Sequence, residues 1–495
     1  VAPKADTEKH LANIWEKVLD KEQIGIKDNY FSLGGDSIKA IQIAAKLKDA
    51  GYDIDITKIF QRPTIEEMAG YIESCKRDTV DENYQGYVPL TPGQNDLIQR
   101  NRNWQKQFQS RTIHLKEPAG SADIEAILNF IYKTREGLRV IYRDDQLFIT
   151  KYAAKNFVIS EDSVDATAEE HVKAVMDSIP INEGPLLKAV LINKDDNACV
   201  VFILHEMLAD NWSWKILLED FNILLHQHKH KVPFKLTPNT GSIKEYAALA
   251  EKYFNSPEFE TDREYWKNNN FSNMAIFNRE KISNSNPATT RIVFDKTFSG
   301  QFLSKANEAF QTSSFELFLS AIVLACSKIE VQDQYSFEIS NENRESVFEN
   351  ASYRRTIARF KTHYPVTMPN ICDDLSRQIR KNKEVIRGIN KNGISYIMSQ
   401  TNTLYNQLSI GVSYIELPYY NFDDYLFTVD NFFKSEVTQQ IQIICYANPD
   451  QLELVITYPE EAYDGGLIEV LKDSLRKGME DIMECCLSRD FVIET

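Results

Sequence analysis

Two short stretches of this chain hold side chains whose types and spacing can do chemistry. The first is Leu33-Gly34-Gly35-Asp36-Ser37-Ile38. It places a primary hydroxyl, Ser37, at the start of an apolar-periodic segment. The two preceding glycines let the backbone turn tightly and leave room for a modifying enzyme. Asp36 and Ser37 sit where helix-capping residues belong, and the positive end of the helix that follows favours a phosphodiester on the serine. Taken alone, the same four letters also describe an ordinary capped helix. The second stretch is His205-Glu206-Met-Leu-Ala-Asp210-Asn-Trp212-Ser213-Trp214, directly after the apolar run Ala198 to Leu204. A carboxylate at the end of a buried strand is poorly solvated. Desolvation raises its pKa toward the range useful for proton transfer near neutrality, which makes Glu206 a candidate acid/base. His226, His228 and His230 make no comparable case, because alternate residues of a helix point to different sides. A solvated helix end is expected there, and no metal site.

The elements that must hold these residues divide the chain in two. Leu11, Ile14, Trp15, Val18 and Leu19 recur at helical spacing. A helix from Ile38 to about Lys48 carries Ile38, Ile41, Ala44, Ala45 and Leu47, and Gly51 stops it. Ile56 to Phe60 fits a short helical turn, and Pro63-Thr64 opens a helix with Ile65, Met68, Ala69 and Ile72 on one face. The sum is a small helix bundle. A polar stretch without apolar periodicity follows, and beyond it strand and helix patterns alternate. Ala198 to Leu204 reads as a strand buried on both faces, Trp214 to Gln227 and Phe315 to Ile329 as helices, and Gln440 to Tyr446 and Leu452 to Ile456 as strands. Trp212 and Trp214 are expected to pack in the core, and Ser213 to cap the helix after it.

With 495 residues the chain is too long for one ordinary core. A net charge of −16 argues against nucleic acid and anionic membrane as partners. Seven cysteines, an odd number without CxxC spacing, argue against a disulfide framework and for a reducing cytoplasm. Cys199, Cys326 and Cys445 lie inside apolar runs and read as small buried residues. The chain starts at Val1 without a methionine, so an excised segment of a longer protein is expected.

Residues 4–76 resemble the thiolation (peptidyl carrier) domains of nonribosomal peptide synthetases. The resemblance rests on the early Ile14-Trp15 helix, the Asn29-Tyr30-Phe31 lead-in, the Gly-Gly-Asp-Ser37 segment and Phe60 with Pro63-Thr64 downstream. It implies 4′-phosphopantetheine on Ser37, with an aminoacyl or peptidyl group on its thiol. Asp36 stands where many carriers have His, which is similar to the variant found before epimerization domains. Residues 88–495 resemble the condensation superfamily. His205 to Trp214 is similar to its HHxxxDGxSW signature, and Leu90-Thr-Pro-Gly-Gln94 to its opening motif. Arg355-Thr-Ile-Ala-Arg-Phe-Lys-Thr-His-Tyr364-Pro365 is similar to the RTVGWFTxxYP motif of the epimerization branch, and Gly411-Val-Ser-Tyr414 to a worn FNYLG.

The implied fold is α plus α/β: a small four-helix carrier bundle, then a chloramphenicol-acetyltransferase-like domain of two lobes around a tunnel. The expected boundaries are 1–76 for the carrier, 77–87 for a linker, 88–265 for the N-terminal lobe and 266–495 for the C-terminal lobe. The family's acid/base groups are the second His of HHxxxDG, the first Glu of EGHGRE and the Tyr of FNYLG. Here Glu206 replaces that His. Ser340-Asn-Glu342-Asn-Arg344-Glu345 aligns with EGHGRE and puts Ser340 in the place of that Glu, and Tyr414 is retained beside Ser413. Candidate catalytic positions are therefore Glu206, Tyr414, His205, Ser340 and Glu342, with Tyr414, Glu342 or His363 as the partner of Glu206 in a cleft lined by residues near positions 206 and 414. For His205 and Asp210 a structural role is preferred, Asp210 pairing with Arg355.

Three outcomes follow for the second domain. Proton chemistry at Cα survives with rearranged groups, or the domain is silent and recruits a trans-acting enzyme, or it forms an amide bond, which the loss of the second His disfavours. A plain interaction scaffold is the reading without acyl chemistry. Expected partners are the thioester substrate, an upstream adenylation domain, a phosphopantetheinyl transferase, and a downstream condensation domain or trans-acting enzyme.

Overall fold

The computed structural model describes residues 2–21, 23–35, 37–49, 58–59, 62–75, 84–117, 119–161, 168–194, 197–269, 287–344, 347–348, 352–371, 373–399, 408, 410–416, 425–430, 441–448, 451–463 and 465–488. The carrier unit has its own core. Helix α1 (Asp6–Leu19) buries Leu11, Ile14, Trp15 and Leu19, as helical spacing of its apolar residues demands. Helix α2 (Ser37–Asp49) buries Ala40, Ile43 and Leu47, and α3 (Ile65–Cys75) buries Ile65, Met68 and Ile72. Ala40 and Ile43 lie outside the stripe expected for α2. The turn expected at Ile56 to Phe60 lies outside the described residues, Lys58 and Ile59 excepted. Tyr30 is fully buried, its ring 5.3 Å from that of Trp15, and its N–H donates to the Pro63 carbonyl at 2.6 Å. The loop before α2 is thereby fastened to the start of α3.

The strands of the second unit are β1 (Gly86–Val88), β2 (Phe108–Leu115), β3 (Val140–Arg143), β4 (Gln146–Ile149), β5 (Val158–Glu161), β6 (Leu187–Lys194), β7 (Asn197–His205), β8 (Pro287–Val293), β9 (Gln334–Asn341), β10 (Thr362–Pro369), β11 (Ile410–Glu416), β12 (Phe427–Asp430), β13 (Ile441–Ala447) and β14 (Glu453–Pro459). Among the described residues they form three sheets. The first lobe holds β12-β2-β7-β6-β5, the second lobe β10-β9-β11-β13-β14-β8, and a small sheet is ordered β1-β4-β3. Two features cross the expected boundaries. The end of the expected linker is strand β1, paired with β4. Strand β12, late in the chain, pairs with β2 and completes the first lobe's sheet.

Strand alternation sorts the second lobe's sheet into two faces. Tyr335, Phe337, Ile339, Tyr364, Val366, Val412, Ile443 and Cys445 enter a core with helices α6 (Ser314–Ile329) and α8 (Gly465–Leu487), to be distinguished from α4 (Pro92–Arg100), α5 (Asn211–Lys229) and α7 (Leu375–Arg387). On the opposite face Ile415, Ile444, Tyr446 and Val455 join the core of the first lobe. That face carries the site. Cys326 and Cys445 are buried as expected, whereas Cys199 is only partly so. No helix among the described residues is long and apolar enough to cross a membrane.

Candidate functional site

Strand β7 is covered on both faces, with Val200 to Leu204 buried, and it delivers His205 and Glu206 to the junction of the lobes. His205 is fully buried. Its Nδ1 accepts the Met207 N–H at 3.0 Å, its Nε2 lies 3.2 Å from the Gln105 carbonyl, and its ring packs edge-on against Phe108. Burial pushes the imidazole down to about 4, so it is neutral at physiological pH. With both nitrogens on backbone groups, His205 shapes the loop.

Glu206 follows, its N–H donating to the Gln107 carbonyl at 2.9 Å. Its side chain keeps 10% of its surface exposed, and Oε2 lies 3.8 Å from Nη1 of Arg359, whose side chain is 2% exposed. Arg359 also reaches the Ala209 carbonyl at 3.4 Å. Arg359 is not among the positions that the sequence marks as candidates. The available signal was that an arginine stands where the resembled motif has Trp. Helix α4 locks this corner. Thr91 caps it, accepting the Gln94 N–H at 3.2 Å and donating its own hydroxyl to the Arg359 carbonyl at 2.8 Å. Gln94 Nε2 donates to the Met207 carbonyl at 3.1 Å. One helix start thus fixes the backbone on both sides of the Glu206–Arg359 pair.

On the facing sheet, Ser340 and Ser413 are register partners, their hydroxyls 2.9 Å apart. His363 is directly opposite Ser340 on β10. Side chains that oppose each other across a ladder share a face, so the three stand in a row on the side turned to the first lobe. His363 Nδ1 lies 2.6 Å from Oδ2 of Asp96, a fully buried residue of α4, and Asp96 Oδ1 lies 3.4 Å from Arg100 Nε. Arg100 also pairs with Glu338. Burial pushes the Asp96 carboxyl up, but His363, Arg100 and Arg359 outweigh it and hold it below the usual carboxylate range. Burial, with Arg100 nearby, holds His363 below the ordinary histidine value against the pull of Asp96.

Tyr414 does not join this row. As the neighbour of Ser413 it must point to the other face, where its ring lies 5.8 Å from Phe315 and 6.3 Å from Phe318 of α6. The expected convergence of Tyr414 with Glu206 is replaced by packing against the helical layer of the second lobe.

The bracing of the loop also differs from expectation. Asp210, not Ser213, caps α5, accepting the Ser213 N–H at 2.7 Å. Ser213 Oγ instead donates to the Ala358 carbonyl at 2.9 Å. The partner of Asp210 is Arg344 at 2.6 Å, and Phe360 N–H donates to its other oxygen at 3.1 Å. Arg355 pairs with Glu219 and Asp220, each at 2.5 Å, and Asp220 also takes Arg135 at 2.6 Å. Breaking one buried pair of this kind typically costs about 3–5 kcal/mol, so each lobe is held to its neighbour at two points. Trp214 is fully buried; Trp212 is only partly so and donates from its indole to the Arg354 carbonyl at 2.7 Å.

Glu342 reaches from the end of β9 across the junction. Its carboxylate accepts the N–H groups of Asn211 at 2.9 Å and Trp212 at 3.2 Å, the first turn of α5. Burial, with Asp210 adding, raises it from 4.5 to about 7 against Arg344, Lys361 and the Asn211 N–H. A raised folded-state value means that this group's contribution is complete below about pH 4.5 and is lost as pH rises through 7. Glu342→Gln is expected to flatten the decline of the thermal midpoint across that window. An identical pH slope in variant and wild type would show that Glu342 is not the titrating group.

In the carrier unit Ser37 is the first residue of α2, and Asp36 lies outside the described residues. The loop before them suits the implied phosphopantetheine. Phe31 is half exposed, Gly34 is exposed, and the first N–H groups of a 13-residue helix have no intrahelical partner, which favours a phosphodiester there.

A two-lobed domain with a polar junction thus follows a helical bundle that has a serine at a helix start. The model of the condensation domain matches residues 84–491 and that of the phosphopantetheine attachment site residues 9–72. The chain belongs to the condensation-domain family, with a phosphopantetheine carrier domain ahead of it, the pairing found in nonribosomal peptide synthetases. Surfactin synthase subunit 1 of Bacillus subtilis (strain 168) is 29% identical over 524 residues, covering 99% of this chain and 15% of that protein. Gramicidin S synthase 1 of Brevibacillus brevis is 27% identical over 533 residues, 99% of this chain and 48% of that one. The chain thus spans less than half of either relative. In fold it is similar to the epimerization domain from the third module of tyrocidine synthetase B, with a TM-score of 0.72 at 22% identity over 83% of this chain and 99% of that one. The X-domain from teicoplanin biosynthesis gives 0.64 at 13% identity over 84% and 100%.

Proposed function

We propose that the carrier unit holds an aminoacyl or peptidyl thioester on a phosphopantetheine arm at Ser37, and that the arm delivers it between the lobes for proton chemistry at Cα. The reaction is L/D epimerization or a divergent reaction of the same tethered residue. Glu206 carries this reading. It is a carboxylate at the position of the family's second histidine, almost wholly buried, with a guanidinium 3.8 Å away. A positioned base that takes a Cα proton needs positive potential near the enolate oxygen that develops, and Arg359 supplies it. The activity requires a transferase to install the arm and an adenylation domain to load it; a downstream condensation domain would receive the product.

A silent, recruiting domain is the second reading. It draws support from the Ser340–Ser413 hydroxyl pair where a carboxylate is implied and from the outward turn of Tyr414. The X-domain in complex with OxyB shares the fold at a TM-score of 0.65. The deciding experiment loads the chain from a panel of aminoacyl coenzyme A thioesters, incubates it in D₂O, and analyses the offloaded residue. Deuterium at Cα supports the first reading. Its absence across the panel favours recruitment.

A further inference from the structure

The position aligned with the family's second acid/base group is Ser340, and a serine hydroxyl bonded to Ser413 is a poor proton carrier at neutral pH. The register places an imidazole directly beside it. His363 opposes Ser340 on the adjacent strand, on the face turned to the first lobe, and Cβ atoms so opposed lie about 4.5–5.5 Å apart. Its Nδ1 is held at 2.6 Å by Asp96, a carboxylate with no exposed surface that is itself anchored by Arg100. An imidazole fixed through one nitrogen by a buried carboxylate keeps a defined tautomer and orientation, with the other nitrogen available for proton transfer. Helix α4 ties both to one place: Gln94 holds the Met207 carbonyl beside Glu206 and Asp96 holds His363, so a residue delivered to the junction of the lobes comes within reach of a group from each lobe.

We propose that His363, oriented by Asp96, is the second proton carrier of this site, taking over at the position where Ser340 has replaced a carboxylate. The inference rests on the Cα chemistry proposed above. In one direction the Cα–H bond breaks, the proton goes to His363, and the electron pair moves into the thioester to form an enolate. The Glu206 carboxyl then gives a proton to the opposite face of Cα, and the enolate pair forms the new C–H bond. The reverse direction exchanges the two roles, and solvent restores both groups between turnovers. Asp96 is a positioning residue.

The test uses the full chain loaded separately with L- and D-aminoacyl phosphopantetheine in D₂O, reading Cα deuterium and inversion for each starting isomer. His363→Gln is expected to lower inversion, and exchange from one isomer, by at least about 10²-fold, while exchange from the other isomer, deprotonated by Glu206, persists. Asp96→Asn, close in shape to the native side chain, is expected to act in the same one-sided way and keeps the test open if His363→Gln does not fold. Variants that lower exchange from both isomers equally, or from neither, overturn the assignment of His363 while leaving the proposed function standing. A wild-type chain that exchanges neither isomer overturns both.

Discussion

Replacing Ser37 with alanine is expected to abolish phosphopantetheine loading completely, read as the absence of the mass gain that the wild-type chain shows with coenzyme A and a transferase of broad specificity. The expectation rests on the loop that leads into α2. Gly34 adopts a positive φ of 84°, and a Cβ on Gly35 would sit 2.4 Å from the Tyr30 ring, so the turn accepts glycine at both positions. Tyr30 is buried and Gly35 N–H donates back to its carbonyl at 2.9 Å. Lys39 Nζ donates to the Gly34 carbonyl at 2.8 Å, tying the first turn of the helix to the loop. These contacts hold the turn through Tyr30, Gly35 and Lys39, and alanine, the strongest helix former, should leave the fold intact. Full helicity with no mass gain confirms the attachment residue. A mass gain on the alanine variant would move the arm elsewhere.

The second large effect is expected at Glu206. Glu206→Gln keeps the shape of the side chain and removes its basicity, so inversion, and Cα deuterium incorporation from the isomer that Glu206 deprotonates, should fall by at least about 10²-fold, the usual contribution of a positioned acid/base. Glutamine also leaves the Arg359 charge without its 3.8 Å partner. Some loss of thermal stability is therefore expected, and exchange has to be compared on protein shown to be folded. Glu206→Asp discriminates further, because it keeps the charge opposite Arg359 but withdraws the oxygen by one methylene. A position effect lowers its exchange, whereas a purely electrostatic effect leaves it near wild type. Exchange in Glu206→Gln equal to wild type from both isomers would remove this carboxylate from the mechanism.

The parts of this molecule that could be read from its sequence are those whose physics is local. The stripes of α1 and α3, the double burial of β7 and the helix α5 after it follow from apolar spacing over a dozen residues. The Gly-Gly-Asp-Ser37 turn and the placement of Glu206 at a strand end are equally local. The pairing of charges was not. Arg344 and Arg355 lie on the same connection between β9 and β10, both buried, and composition does not say which one meets Asp210. Arg344 does, since it leaves the end of β9 facing the start of α5, whereas Arg355 points farther along α5 to Glu219 and Asp220.

The sequence by itself determined that a hydroxyl opens a helix and that a carboxylate ends a buried strand. Only the tertiary structure decided that Tyr414 faces the helical layer, that Arg359 sits beside Glu206, and that His363 and Asp96 meet across 267 residues. Helical and strand periods fix which residues share a face, because they repeat within one element. Which faces then meet is set by how separate elements stack and pair, and a buried charge takes its partner from whatever that packing brings near.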